Sequence, residues 1–289
     1  MPEGIITSAV GGFYEIESEG NVYTCKARGA FRHLGITPLP GDTVSFELMR
    51  EGYARIVSVA KRKNQLKRPT AANVDILFIV LSAEYPEPDL LLADKLILEA
   101  LSASVSPVLV INKTDAERGA VLSELRRQYA SFPLITASAH QKTGLDGLGE
   151  FIRGHICCFA GQSGVGKSSL LNALLSFETA KTGAVSRKTE HGRHTTRETR
   201  LFSCRGGSIF DTPGFSLLET DGFDTDILRK AYPEFFPEEP CRFLGCRHIS
   251  EPGCRVKELV HAGGLPKERY ERYVVLSEEF EQRRKHRYD

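Results

Sequence analysis

Gly161-Gln162-Ser163-Gly164-Val165-Gly166-Lys167-Ser168 follows the apolar run Ile156–Ala160 and opens a helix-forming stretch, Lys167–Leu175. Strand, glycine loop and helix in that order make a phosphate-binding loop. Backbone amides approach the phosphates where no Cβ intervenes, and the helix N-terminus adds the positive end of its dipole. Lys167 is then placed to reach the β and γ phosphates, and the hydroxyl of Ser168, followed by Ser169, to meet Mg²⁺. At average composition a Gly-x4-Gly-Lys-Ser/Thr pattern arises by chance in about one chain in a hundred of this length. Three further elements exclude coincidence.

The first is Asn112-Lys113-Thr114-Asp115, directly after the apolar strand Pro107–Ile111. Ligands of a parallel sheet bind at such strand C-terminal ends. The Asp115 carboxylate can accept two hydrogen bonds from guanine N1 and N2, a donor pair that adenine lacks, so GTP is favoured over ATP. Asn112 braces the base site, Lys113 lays its stem along the ring, and backbone amides at the second element, Ser138-Ala139, are expected to receive the guanine O6. The third is Asp211-Thr212-Pro213-Gly214, where Asp211 is expected to hold Mg²⁺ through water and Gly214 to offer its amide to the γ phosphate. An unpermuted domain meets the phosphate loop first and the Ser-Ala pair last. Here 112–115 and Ser138-Ala139 precede 161–168, so the domain is circularly permuted.

From Val74 onward, continuous apolar strands alternate with helical segments, which reads as a parallel α/β sheet over 68–220. Before it, residues 5–60 carry five short strand-like runs separated by Gly, Pro and Asn turns, a small β-barrel. An oligonucleotide-binding (OB) barrel is the natural candidate for residues 1–67, and an SH3-like barrel fits the same count. Beyond Thr220 the composition shifts to prolines, a Cys/His cluster and a charged helical tail from Pro266, giving a mostly helical third domain over 221–289.

Cys241-x4-Cys246-x-His248-x5-Cys254 offers three thiolates and one imidazole, a closed tetrahedral set for one structural Zn²⁺ with no position left for a catalytic water. Cys25, Cys157, Cys158 and Cys204 lie on expected strands and read as core, and His261 as a surface residue. Seven cysteines, no basic segment leading an apolar run, and no apolar stretch of membrane-spanning length argue for a cytosolic, membrane-free protein without a disulfide framework. With 41% hydrophobic and 26% charged residues, the chain has the composition of an ordered globular protein rather than a disordered one.

The net charge of +1 does not argue for nucleic acid. Local charge says more. Five bases stand in Lys61–Arg68, and five more with His191 and His194 in Arg187–Arg200, sets that either grip phosphates or remain solvated. The Arg187–Arg200 run includes Gly192-Arg193-His194-Thr195-Thr196-Arg197, between the phosphate loop and Asp211, where the mobile switch belongs. One of Thr195 and Thr196 is expected to meet Mg²⁺. Phe215 stands where many GTPases carry the glutamine that orients water, leaving His194 as the candidate for that role, against the alternative of an RNA-facing loop.

The permuted order, Gly161–Ser169, Asp211–Phe215, the Gly192–Thr196 switch, Ala72-Asn73-Val74-Asp75 and the Cys/His spacing together resemble the bacterial family of small ribosomal subunit biogenesis GTPases, RsgA or YjeQ, over nearly the whole chain. The resemblance implies an OB-fold barrel, GTP hydrolysis stimulated by the small ribosomal subunit and its rRNA, and action as a monomer late in that subunit's maturation. It also implies His194 as the catalytic group, with Lys167 and Gly214 at the phosphates. Two other classes compete: an RNA-binding assembly module whose nucleotide is only sensed, and a GTPase of metal handling. If γ-phosphate loss moves the segment 211–214, the permutation places that motion just before the zinc domain.

Overall fold

The computed structural model describes all residues except 30, 32–34, 50–52, 67–69, 117–118, 183–198, 212–224, 237–238, 240 and 287–289. Residues 1–59 form five strands, β1 (Glu3–Val10), β2 (Phe13–Ser18), β3 (Asn21–Ala27), β4 (Thr43–Leu48) and β5 (Ala54–Val59). Alternation puts Tyr14 and Ile16 of β2, Val44 and Phe46 of β4, and Ala54 and Ile56 of β5 on one side, where with Ile6 and Cys25 they fill a closed core. The barrel closes in the order β1-β2-β3-β5-β4, with β3 and β5 parallel and β1 against β4. That closure selects the OB barrel over the SH3-like alternative.

A two-residue strand pair, β6 (Gln65–Leu66) with β7 (Ala71–Ala72), leads into the central sheet. The sheet holds β8 (Ile76–Ser82), β9 (Ser106–Asn112), β10 (Leu134–Thr136), β11 (Ile156–Ala160), β12 (Arg200–Cys204) and β13 (Gly207–Asp211), in the order β10-β9-β8-β11-β13-β12. All neighbours are parallel except β12 with β13. The permutation is legible in this order. Counted from β11 as the first strand, the sheet reads 2-3-1-4-5-6, a doubly wound sheet whose chain starts at its fourth strand. The chain winds away from β8 in one direction and from β11 in the other, so their shared C-terminal edge is the switch point at which such sheets bind ligands.

Every residue of β8 is buried, as a central strand covered on both faces requires. Leu77, Ile79 and Leu81 face one core with helix α1 (Leu90–Ser102), whereas Ile76, Phe78 and Val80 face the other, with α3 (Leu145–Ile152) and α4 (Lys167–Thr182). Helix α2 (Ala120–Gln128) follows β9. Cys25, Cys157, Cys158 and Cys204 are buried on these strands, as the sequence predicts.

The C-terminal part carries α5 (Thr225–Ala231), a 3-10 turn (Pro233–Phe235), α6 (Arg255–His261) and α7 (Lys267–His286). Its buried residues Leu228, Tyr232, Phe235, Val256, Tyr273 and Leu276 belong to the same core cluster as Leu96 and Leu109 of the central domain. It is an added layer over α1, sharing one core with the sheet. On the other side the barrel lies against β12, with Arg200 Nη2 on Glu15 Oε2 and Ser203 Oγ on Glu17 Oε2, both at 2.8 Å.

The basic run Lys61–Arg68 is partly consumed in this seam. Arg62 binds both oxygens of the buried Asp42 at 2.7 Å and donates to Thr37 O, and Lys63 pairs with Asp75 at 2.7 Å. Arg62 is thus committed to the buried Asp42, whereas Lys63 keeps a solvated side chain beside Asp75. A Cβ at Gly41, whose φ is +92°, would lie 2.1 Å from the Ala72 carbonyl oxygen, so only glycine lets the barrel approach this closely.

Candidate nucleotide site and metal centre

The phosphate loop leaves β11 at Gly161, where a φ of +134° and a Cβ position 2.4 Å from the Val80 carbonyl oxygen admit only glycine. The loop is thereby pressed onto β8 at the switch point. Val165 is fully buried and anchors the loop from below. Lys167 folds back so that Nζ donates to the carbonyls of Gly161 at 2.7 Å and Gln162 at 2.9 Å. Burial pulls the Lys167 ionisation down from its ordinary value, which favours arrival of a neutralising phosphate. Lys167, Ser168 and Asp211, three of the residues expected at the γ phosphate and Mg²⁺, line one cleft with Phe159 and Phe210. Gln162 Oε1 accepts from the Asp89 backbone at 3.4 Å, and Ser163 and Gly164 stand exposed on the loop's outer edge.

Asn112, nearly fully buried, holds three motifs together. Its Nδ2 donates to Val165 O at 2.9 Å, its Oδ1 accepts from the Ala139 amide at 3.1 Å, and a Cβ at Gly166 would fall 2.2 Å from Nδ2. Lys113 Nζ donates to Gly164 O at 2.8 Å and to Tyr85 O, so its stem lies across the loop. Asp115 Oδ1 accepts from Ser138 Oγ at 2.5 Å, while Ser138 and Thr143 exchange backbone bonds that close the turn behind it. A cavity of about 220 Å³ opens between these groups, lined by Glu84, Asn112, Lys113, Asp115, Ala116, Ala139, His140, Gly166 and Ser169. The Ala139 amide, expected at guanine O6, is thus engaged by Asn112, a bond the base would share or replace. Glu84 and His140 are pocket residues that sequence reasoning missed; a lone Glu or His in a turn carries no signal of its own.

His194, Thr195, Thr196 and Gly214 lie outside the described residues, as do Thr212, Pro213 and Phe215.

Cys241, Cys246, His248 and Cys254 converge, with their ligand atoms all within 4.8 Å of one another. His248 Nδ1 lies 3.5 Å from Cys241 Sγ and 3.4 Å from Cys254 Sγ, and the two sulfurs are 3.9 Å apart. Tetrahedral Zn²⁺ with ordinary bond lengths separates its ligands by about 3.6–3.8 Å, so these three stand near the spacing the ion needs, with Cys246 Sγ within 4.8 Å of each. Burial holds the His248 ionisation below its usual value, favouring the neutral, ligating imidazole. The ligand loop is clamped by α7, whose Tyr270 and Tyr273 hydroxyls donate to the carbonyls of His248 at 2.5 Å and Arg247 at 2.9 Å. His261 is exposed and outside the cluster, as expected.

Known proteins share this organisation. A family model described as RsgA GTPase matches residues 59–221, and one described as RsgA N-terminal domain matches 3–56. The small ribosomal subunit biogenesis GTPase RsgA of Geobacillus sp. (strain WCH70) is 42% identical over 290 residues, covering 98% of this chain and 99% of that protein. YjeQ from Thermotoga maritima superimposes with a TM-score of 0.80 at 34% identity, covering 96% of this chain and 98% of its own. YloQ, described as a circularly permuted GTPase, does so with 0.77 at 32% identity, covering 98% and 96%.

Proposed function

The chain belongs to the RsgA GTPase family, and on that premise we propose that it binds the small ribosomal subunit through rRNA contacts and hydrolyses GTP there, late in the subunit's maturation. The observation that carries the nucleotide part is Asn112, whose one amide ties the phosphate loop to the guanine pocket and so makes a single site from motifs far apart in the chain. Asp115 selects the base, Lys167 meets the β and γ phosphates, and Ser168 with Asp211 would hold Mg²⁺. When bound, the metal supplies charge neutralisation at the phosphate oxygens. Hydrolysis joins water oxygen to the γ phosphorus and breaks its bond to the β–γ bridging oxygen, leaving GDP and phosphate. His194 is assigned to orient that water, one of Thr195 and Thr196 to the metal, and the Gly214 amide to the γ phosphate.

The barrel (1–67) is read as an RNA-contacting module, 68–220 as the GTPase and 221–289 as the zinc module, with Zn²⁺ in a structural role. The protein acts as a cytoplasmic monomer, where small subunits mature; no helix among the described residues is long and apolar enough to cross a membrane.

The test is steady-state GTP hydrolysis by the purified protein alone and with small subunits, large subunits or free RNA at matched salt. The expected result is a large increase confined to small subunits, near-complete loss of nucleotide binding in Lys167→Ala, and retained binding with slowed turnover in His194→Ala. GTP binding without stimulation by any partner would instead favour a nucleotide-sensing RNA module. Unchanged turnover in the histidine variant would remove its catalytic role.

A further inference from the structure

The antiparallel pair β12 and β13 ends where the metal site begins, and its register sets Arg200 directly opposite Asp211. Residues opposite one another on antiparallel strands share a face, with Cβ atoms about 4.5–5.5 Å apart, well within the reach of an arginine. Asp211 stands in one cleft with Lys167 and Ser168, and a hydroxyl with a carboxylate is an oxygen donor set that suits Mg²⁺. A guanidinium settled on Asp211 would occupy the lone pairs that the ion needs and cancel the charge that attracts it.

Arg200 is held elsewhere. Among the described residues its ion pair is with Glu15 of the barrel, Nη2 to Oε2 at 2.8 Å. Its guanidinium carbon lies 5.7 Å from the ring centre of Phe202, the next residue on the same face of β12, and Phe202 is paired with Ile209 rather than Asp211. The side chain therefore runs along the strand, away from the end at which Asp211 stands. Glu15 is itself fixed, within β2 between Ser8 of β1 and Thr24 of β3. The barrel around it is seated on β12 and β13: Glu17 accepts from Ser203 Oγ at 2.8 Å, and a Cβ at Gly41 would lie 3.1 Å from Cζ of Phe210, the residue before Asp211. An ion pair as exposed as Arg200 with Glu15 adds little to stability, so its consequence is where it puts the guanidinium.

We propose that Glu15 is a positioning residue of the metal site, holding the Arg200 guanidinium away from Asp211 and leaving that carboxylate free for Mg²⁺. The inference deepens the GTPase reading, on which the role of Asp211 rests. It makes the barrel part of the nucleotide site, since a motion that drew Glu15 away would release Arg200 onto the metal-binding carboxylate.

The test is equilibrium binding of a non-hydrolysable GTP analogue across a Mg²⁺ titration, in wild type, Glu15→Ala, Arg200→Gln, the double variant, and Glu17→Ala, which removes a seam contact without touching Arg200. The Mg²⁺ concentration for half-maximal binding is expected to rise about twofold to fivefold in Glu15→Ala, the range of a cross-strand charge pair. In the double variant it should return to within about 1.5-fold of Arg200→Gln, and Glu17→Ala should stay within about 1.5-fold of wild type. An unchanged midpoint in Glu15→Ala, a rise that persists when Arg200 is also replaced, or an equal rise in Glu17→Ala overturns the proposal. Nucleotide binding by the wild type that is independent of Mg²⁺ would overturn the metal reading of Ser168 and Asp211, and the proposal with it.

Discussion

On the proposed reading, Asp115 carries the choice of base on one carboxylate, and its surroundings prepare it. The hydroxyl of Ser138 first, then its own backbone amide and the nearby His140, hold its ionisation below the usual carboxylate range, so at neutral pH it is a pure acceptor. Guanine offers two donors to that acceptor, and adenine none in the same places. In Asp115→Asn one oxygen becomes a donor that faces the N1 hydrogen or N2 amine, replacing an attraction by a repulsion. The expected outcome is a loss of GDP affinity of about 3–4 kcal/mol with little change for ADP, read by competition binding. A variant that keeps the wild-type ratio of GDP to ADP affinity would mean that base choice resides elsewhere in the pocket.

At the scale of elements, the ligand loop and α7 support one another. The tyrosine hydroxyls of α7 hold the backbone on which His248 stands, and the His248 ring lies 5.2 Å from Phe236 and 6.3 Å from Tyr273, centre to centre. Metal ligation and helix docking are therefore linked. Cys246→Ser, or chelation of the wild type, should remove the bound zinc, measured as metal per chain, and lower the melting temperature. The loss will be smaller than the about 10–16 kcal/mol bound up in isolated zinc fingers, because the surrounding core survives. Full zinc content in the variant would mean a different ligand set. The elements themselves were largely legible in the sequence. Leu134–Thr136, Leu145–Ile152, Ile156–Ala160 and Arg200–Cys204 lie where apolar period and turn residues put them. The paired dipeptides β6 and β7 left no trace, because two residues have no period. Nor could charge runs reveal partners: Arg62 looked free until folding brought Asp42 beside it, twenty residues away in the chain. The Cys/His spacing was readable because metal ligation needs residue types that few other purposes cluster. The pocket wall at His140 was not, since a lone histidine in a turn carries no signal of its own.

The whole molecule is organised around where the sheet is opened. Starting the chain at the fourth strand frees both ends of the central domain for attachments: the barrel precedes β8 and settles against β12, while the zinc layer follows β13 and covers α1. The joint of that last layer is ionic and buried. Asp94, in the apolar face of α1, receives Arg269 Nη1 at 2.8 Å, Arg272 Nε at 2.6 Å, and the hydroxyls of Tyr129 at 2.7 Å and Tyr232 at 2.8 Å. Arg269 also donates to Glu234 and to Ala231 O, lies 4.3 Å from the Tyr232 ring centre, and is wholly shielded from solvent. Burial would pull its ionisation down, but Asp94 and Glu234 together outweigh that and hold it above the ordinary arginine value. Two charges so deep contribute little net stability as a pair, yet either one alone is costly because its partner is left buried and unpaired. Arg269→Ala and Asp94→Ala are each expected to cost about 3–5 kcal/mol in urea unfolding and to expose the C-terminal layer to protease. The double variant Asp94→Leu with Arg269→Met should cost less than the sum of the two singles, because the Asp94 and Arg269 charges leave together, while Arg272, Glu234 and the hydroxyls of Tyr129 and Tyr232 still lose a partner. If the double variant instead costs the sum of the two, the residues do not act as a unit, and the C-terminal layer is held on α1 by its apolar contacts alone.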